Sequence, residues 1–328
     1  MKRVILSGYR TGTESATSLT RLEEADPPAG DVRVRTTYLQ IPAVTADLMR
    51  ADPGLPMPGF RIGEPIWGPG VGMVVESRDE RLPVGTSVLH RKGWQDEVVV
   101  TADEVYPVHP SLPEPYFALN QGVTAYHGMV DIAEIRAGDV VFVSGAAGGV
   151  GSLAGQIARN LGAATVIGSA GSAQKVRYLV EELGFDAAIN YRDGDLAGQL
   201  VKIAPDGIDV FYDNTGGEAF EAAVKVAAHG ARFALCGAVS GQLDGGDGAY
   251  PRLDVMTAIV KELVIKPFCT PHTPDQVAAW YAHYGRWLAE GKLVYPRTVV
   301  DGNVEDAPKV LDDMLAGRYR GNVLLRIG

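Results

Sequence analysis

The sequence predicts an α/β fold, a doubly wound parallel sheet inserted into a mostly antiparallel β domain. Three observations carry this expectation. An apolar run enters a glycine turn and leaves as an amphipathic helix in DVVFVSGAAGGVGSLAGQIARNLGAATVIGSAGSAQK, residues 139–175. Strand-like and helical runs then alternate regularly to about residue 267. Short β-like runs broken by Pro and Gly precede this region, and β character returns after Leu293.

In chain order, runs at 32–38, 70–77, 87–89 and 96–101 are rich in strand formers and bounded by turn residues. Such runs suit a compact, mostly antiparallel β domain ending near Pro115. Gly63, Gly68, Gly70 and Gly72 read as bends or bulges within it. From Tyr116 the periodicity turns helical, through residues 118–132. The strand 140–143 follows, then Gly145, Gly148, Gly149 and Gly151, the helix 152–161 and an apolar run at 164–167.

Further strands are expected at 187–190, 208–212, 231–235 and 263–267, with helices at 173–183, 196–203, 218–227 and 254–260. Apolar strands separated by helices mean a parallel sheet covered on both faces. The helix 274–290 carries Trp280 and Trp287 on one face, as core or as subunit contact. The tail holds strands at 297–300 and 322–327 around a helix at 307–316, and is expected to rejoin the first domain. The domains are then 1–118 with 294–328, and 119–293.

The glycine pattern has a chemical reason. A tight turn lets the backbone approach a pyrophosphate, and the helix N-terminus offers unpaired N–H groups to it. A purely structural turn is the alternative. An NAD site would place Asp or Glu after the second strand to hold the ribose 2′-hydroxyl. Here Gly168, Ser169, Ala170, Gly171 and Ser172 are followed by Lys175 and Arg177. With no acid and a nearby cation, the site suits the 2′-phosphate of NADPH. The alternative for Lys175 is a solvated helix position.

Composition narrows the classes. The 328 residues allow two substantial cores, and 46% hydrophobic with 21% charged residues is ordinary for a globular chain. A net charge of −10 with no basic block leaves nucleic-acid binding without support. No run reaches transmembrane length, and MKRVILSGYR lacks the apolar stretch of a signal peptide. Cys236 and Cys269 are the only cysteines, which suits a reducing, cytoplasmic setting.

Specific stretches carry a family resemblance. They are IGEPIWGPGVGMVVES (62–77), LPVGTSVLHRKGWQDEVVV (82–100) and GVTAYHGMVDIAEIRAGDVVFVSGAAGGVGSLAGQIARNLGA (122–163). KVRYLVEELGFDAAINY (175–191), IDVFYDNTGGEAF (208–220) and FALCGAVS (233–240) continue the match. The chain resembles the zinc-independent medium-chain dehydrogenase/reductases. It is most similar to the branch of leukotriene B4 dehydrogenases, prostaglandin reductases and NADPH-dependent alkenal or curcumin reductases. The resemblance implies a Rossmann NADPH domain inserted in a GroES-like catalytic domain, and a homodimer formed through the nucleotide domains.

It also implies roles. Ala147, Gly148, Gly149, Val150 and Gly151 would line the pyrophosphate, with Ser172, Lys175 and Tyr191 at the adenosine end. Asn214, Gly216, Cys236, Gly237, Ser240, Phe268 and Asn322 would follow the cofactor toward the nicotinamide. By position near the expected cleft, and not by the resemblance, Gln121, Thr124, Gln242 and Phe268 are the substrate-side candidates, and Tyr250, after the glycine-rich loop 241–248, is the candidate donor to the enolate. Asn214 and Gly216 as a strand-ending turn, Cys236 as core and Tyr250 as a loop or interface residue are the alternatives. The chain departs from the branch at Leu39, Gln40, Ile41, Pro42, Ala43 and Val44, where relatives carry Leu-Ser-Val-Asp-Pro-Tyr-Met-Arg. It departs again at Gln242, where animal members often have tyrosine, and at Asn322, where many have lysine.

No metal site is expected. Two late cysteines cannot build a four-cysteine lobe, Gly63-Glu64 has no adjacent His, and His90 has no second ligand near it. His90, His127 and His229 read as surface or helix residues, and no Gly-x-Ser-x-Gly elbow supports hydrolysis. The leading function is reduction of an enal, enone or enoyl thioester, with the acceptor entering between the domains. A quinone reductase, and an NADPH-binding structural or regulatory protein with little turnover, are the alternatives.

Overall fold

Two compact units make up the chain, one of Met1–Asn120 with Arg297–Gly328, the other of Gln121–Pro296. The computed structural model describes every residue except Ala29, residues 239–249 and Thr270. The first unit opens with β1 (Lys2–Leu6) and β2 (Thr20–Glu24), an antiparallel pair. β3 (Val32–Gln40), β4 (Gly70–Ser77), β5 (Ser87–His90), β6 (Glu97–Val100) and β7 (Tyr106–Pro107) follow. The second unit supplies β8 (Val140–Val143), β9 (Thr165–Ala170), β10 (Ala187–Asn190), β11 (Ile208–Asp213), β12 (Ala227–Leu235) and β13 (Val264–Pro267). The chain then returns to the first unit with β14 (Arg297–Gly302) and β15 (Asn322–Ile327).

The seven-stranded sheet of the first unit runs β14-β15-β3-β4-β5-β7, with β6 paired to β3. Only its β14–β15 pair is parallel. The second unit holds a six-stranded, all-parallel sheet in the order β10-β9-β8-β11-β12-β13. The strand order reverses at β8 and β11, so a ligand crevice is expected outside the carboxyl ends there. Phe211 stacks on Phe142 and meets Phe233 edge-on, each at 5.2 Å between centroids, and all three belong to one buried apolar cluster. Trp280 and Trp287, on the helix Pro274–Ala289, are buried, so they serve this unit's own core.

Several expectations shift. β1 and β2 carry no alternating pattern to read, because KRVIL buries three successive apolar residues behind two charges and TRLEE is largely charged with Leu22 exposed. The helical run expected over 118–132 is broken. Pro115–Ala118 forms a 3₁₀ turn, Leu119 leaves helical geometry with ψ 73°, and the α-helix spans only Gly122–His127 before a π-turn, Gly128–Ile132. Gly70 and Gly72 lie inside β4, and the bulge is opposite them, where the β3 register shifts between Thr36 and Tyr38. His90 is neither a surface nor a helix residue. It is 1% exposed on β5, packed against Gly70.

Candidate cofactor and substrate site

β8 delivers the chain into the glycine turn. Gly148 N–H donates to the Gly145 carbonyl at 3.0 Å, and Ala146 N–H to the Ser169 carbonyl at 2.9 Å. A Cβ on Gly151 would stand 2.6 Å from the Gly145 oxygen, so only glycine lets the turn fold back on the helix. That helix, Gly151–Asn160, begins at Val150 without a side-chain cap. The Ser152 and Leu153 N–H groups are taken by the Gly148 and Val150 carbonyls, both at 3.1 Å, so the donors that a phosphate would meet are those of the turn before them. Ala147, Gly148, Gly149, Val150 and Gly151 follow one another through this turn into the helix.

The second corner is built by the β9–β10 pairing. Asn190 lies opposite Ala170, which brings Tyr191 beside Gly171. A Cβ on Gly171 would fall 2.7 Å from the Tyr191 hydroxyl, so the bare glycine lets the ring lie close. Ser172 caps the next helix by accepting from Lys175 N–H at 3.3 Å. Lys175 is half-buried, and burial, followed by the charge of Arg192, lowers its pKa. The Arg192 guanidinium lies 5.9 Å over the Tyr191 ring. Sequence reading missed Arg192, although its place directly after Tyr191 was a usable signal.

The third corner is organised by a residue that was also missed. Asp213 ends β11, is 2% exposed, and accepts from Ser144 Oγ at 2.6 Å, Gly216 N–H at 2.9 Å and Thr215 N–H at 3.0 Å. Burial, the largest influence, raises its pKa, and these hydrogen bonds oppose it. Asn214 is locked to the same place, donating its N–H to Ser144 Oγ and its amide to the Ser144 carbonyl, both at 2.8 Å. The Asp213 carbonyl receives the N–H groups of Cys236 at 2.8 Å and Gly237 at 3.1 Å. Burial pushes the Cys236 thiol up to about 12, so it stays a neutral thiol rather than a nucleophile. The signal for Asp213 was the Asp-Asn-Thr-Gly-Gly run, whose first residue makes the turn to the Thr215 N–H.

Phe268 follows β13, donating its N–H to the Leu235 carbonyl at 3.2 Å. Its ring stands edge-on to Tyr212 at 6.1 Å and to His127 at 5.4 Å. Thr124 lies on the helix Gly122–His127 with Gln121 at its start, and its hydroxyl is 2.8 Å from His272 Nε2. Tyr250 is 84% exposed. Ser240 and Gln242 lie outside the described residues. Asn322 belongs to the first unit, buried on β15, where its amide oxygen accepts from Gln40 at 3.0 Å. The remaining described candidates all belong to the second unit, most of them just beyond its strand ends.

Among the described residues, no group of three or more His, Cys, Asp or Glu could hold a metal ion. No helix among them is long and apolar enough to cross a membrane.

Comparison with known proteins bears on these features. A family model described as zinc-binding dehydrogenase matches residues 149–283, and one for the N-terminal domain of oxidoreductases matches residues 2–108. The chain is 33% identical to the NADPH-dependent curcumin reductase of Escherichia coli, over 94% of this chain and 91% of that one. It is 32% identical to the NADP(+)-dependent 2-alkenal reductase of Nicotiana tabacum, over 99% and 97%. The crystal structure of CurA from Vibrio vulnificus in complex with NADPH superimposes with a TM-score of 0.90, at 28% identity, over 100% and 99% of the two chains.

Proposed function

Because the chain belongs to the zinc-independent branch of the medium-chain dehydrogenase/reductases, we propose that it reduces the carbon–carbon double bond of α,β-unsaturated carbonyl compounds with NADPH. The near full-length likeness to a curcumin reductase and a 2-alkenal reductase carries this reading. The cofactor, when bound, supplies a hydride. The residues present fit it. The turn from Ala147 to Gly151 would hold the pyrophosphate, and Lys175, Tyr191 and Ser172 the adenosine end. Asn214, Gly216, Cys236, Gly237, Ser240 and Phe268 would line the rest.

The protein's own work is positioning. Gln121, Thr124, Gln242 and Phe268 would orient the acceptor with its β-carbon toward the hydride, in a site from which water is excluded. As the hydride arrives, the double-bond electrons move to the carbonyl and an enolate forms. Tyr250 would give its phenolic proton to the α-carbon and recover one from water once product leaves. The reading needs no metal, and a chelator is expected to leave activity intact.

We place the protein in the cytoplasm as a homodimer. Val255, Met256, Ile259 and Val260 on the helix Val255–Val260, with Val264 on the edge strand β13, form an exposed apolar strip that a second copy would cover. Light scattering should give about twice the 34.9 kDa chain mass.

The deciding experiment is a panel of enals, enones, enoyl thioesters and quinones with NADPH, followed by product analysis. Saturated carbonyl products are expected. Turnover confined to quinones would replace this function, and binding without turnover of any member would remove it.

A further inference from the structure

Thr124 Oγ1 and His272 Nε2 lie 2.8 Å apart across 148 positions of sequence, and this is the hydroxyl's only hydrogen bond among the described residues. His272 Nδ1 is buried and has no hydrogen-bond partner there. That orphan bears on the tautomer. A buried N–H without an acceptor is rarer in folded proteins than a buried acceptor without a donor. The orphaned Nδ1 thus favours the tautomer with the proton on Nε2, in which His272 donates to Thr124. The ring is kept neutral by burial and by His127, whose ring is 5.7 Å away and whose own Nδ1 faces Asp131 at 2.7 Å. A side-chain interaction with Gln276 raises its pKa again, but that contact is too long to count as a hydrogen bond to Nδ1.

A threonine hydroxyl has one proton. With its oxygen accepting from His272, that proton has no protein acceptor among the described residues and points elsewhere. The backbone beneath it is pinned, since the Tyr212 hydroxyl donates to the Thr124 carbonyl at 2.9 Å. Tyr212 is the penultimate residue of β11, and it packs against Phe268, just past β13. Thr124 is thus fixed at the carboxyl ends of the parallel strands, where ligands of such sheets bind, and it is only partly buried.

We propose that His272 holds the Thr124 hydroxyl as an obligate donor to the carbonyl oxygen of the unsaturated substrate. Thr124 touches the substrate, and His272 is a positioning residue that acts through it. Negative charge on that oxygen grows as the enolate forms, so the bond strengthens toward the transition state. The inference rests on the reductase function proposed above.

The test uses full-length protein, NADPH and ethyl vinyl ketone. Thr124→Val should lower kcat by about 10²-fold, the loss expected for one oxyanion donor, while Thr124→Ser stays within about fivefold of the parent. His272→Ala should lower kcat by about tenfold, and His272→Gln, which keeps an N–H donor, should recover most of it. The double variant Thr124→Val/His272→Ala should be no slower than Thr124→Val, because the second residue acts only through the first. NADPH affinity, read by fluorescence titration, should stay within about twofold throughout. Parental kcat in Thr124→Val, or a loss matched by weakened NADPH binding, overturns the donor role alone. A wild-type protein that binds NADPH but turns over neither ethyl vinyl ketone nor any member of the panel overturns the reductase function together with it.

Discussion

Ser144 Oγ donates to Asp213 Oδ1 at 2.6 Å, joining the ends of β8 and β11 where the order of the parallel sheet reverses. The same Oδ1 takes the Thr215 and Gly216 N–H groups, so a single oxygen shapes the turn that holds Asn214. Ligand geometry on this sheet therefore depends on a residue that need not touch the ligand.

Replacing Asp213 by Ala leaves Ser144 Oγ and Gly216 N–H without this acceptor, and Thr215 N–H with only Ser144 Oγ at 3.2 Å. Urea unfolding should show a loss of about 2–3 kcal/mol, the penalty for orphaned buried groups. NADPH affinity should fall as well, because the Asn214–Gly216 turn relaxes. Asp213→Asn keeps an Oδ1 acceptor and removes a buried charge whose pKa burial already raises, so its stability should lie within about 1 kcal/mol of the parent. Equal losses in the two variants would show that the hydrogen-bond account is wrong.

Lys175 and Arg192 place two like charges near Tyr191, and an anion bound between them would be attracted by both. Lys175→Ala should weaken NADPH binding by about 1.5–3 kcal/mol and leave NADH nearly unchanged. Arg192→Ala, at an exposed position, should weaken NADPH by about 0.5–1 kcal/mol, again without effect on NADH. Parallel losses for both cofactors in isothermal titration would remove the 2′-phosphate assignment.

The second unit was largely legible because its signals are local. Alternating apolar runs and helices gave the six parallel strands, and the residues after β9 gave the preference for NADPH. β12 begins at Ala227 rather than 231, since His229 and Gly230 interrupt its apolar pattern. What stayed hidden depends on distant pairing. Ser144 meets Asp213 across 69 positions and Thr124 meets His272 across 148, and neither pair leaves a periodic trace. His90 read as a surface residue for the same reason, since its burial comes from neighbouring strands rather than from its own segment.

His90 should make the protein acid-sensitive. Its Nδ1 accepts from Lys92 N–H at 3.3 Å, so Nε2 carries the proton and faces Thr36 Oγ1 at 3.4 Å. Burial, with the charge of Lys92, lowers its pKa from 6.5 to about 4. The unfolded chain then takes up a proton before the folded one as pH falls. The contribution to stability is full above pH ~6.5 and is lost progressively down to pH ~4, by about 3 kcal/mol. Urea midpoints at pH 7 and pH 4.5 should differ less in His90→Gln than in the parent. An unchanged difference would mean that His90 is not the titrating group.

Tyr250 tests how the reaction ends. It follows the 239–249 segment that leads from Cys236 and Gly237, and its side chain is 84% exposed. An exposed phenol can be recharged by water after each turnover, which a buried one could not. The α-proton and the carbonyl oxygen are separate demands, so Tyr250 and Thr124 should contribute independently. Tyr250→Phe should lower kcat about 10²-fold with NADPH affinity unchanged, since a positioned proton donor contributes about that much. In deuterated water the parent should place one deuterium at the α-carbon with a single facial preference, and Tyr250→Phe should lose that preference as bulk water takes over. A variant that kept both rate and facial preference would show that Tyr250 is a loop residue and that the proton reaches the α-carbon by another path.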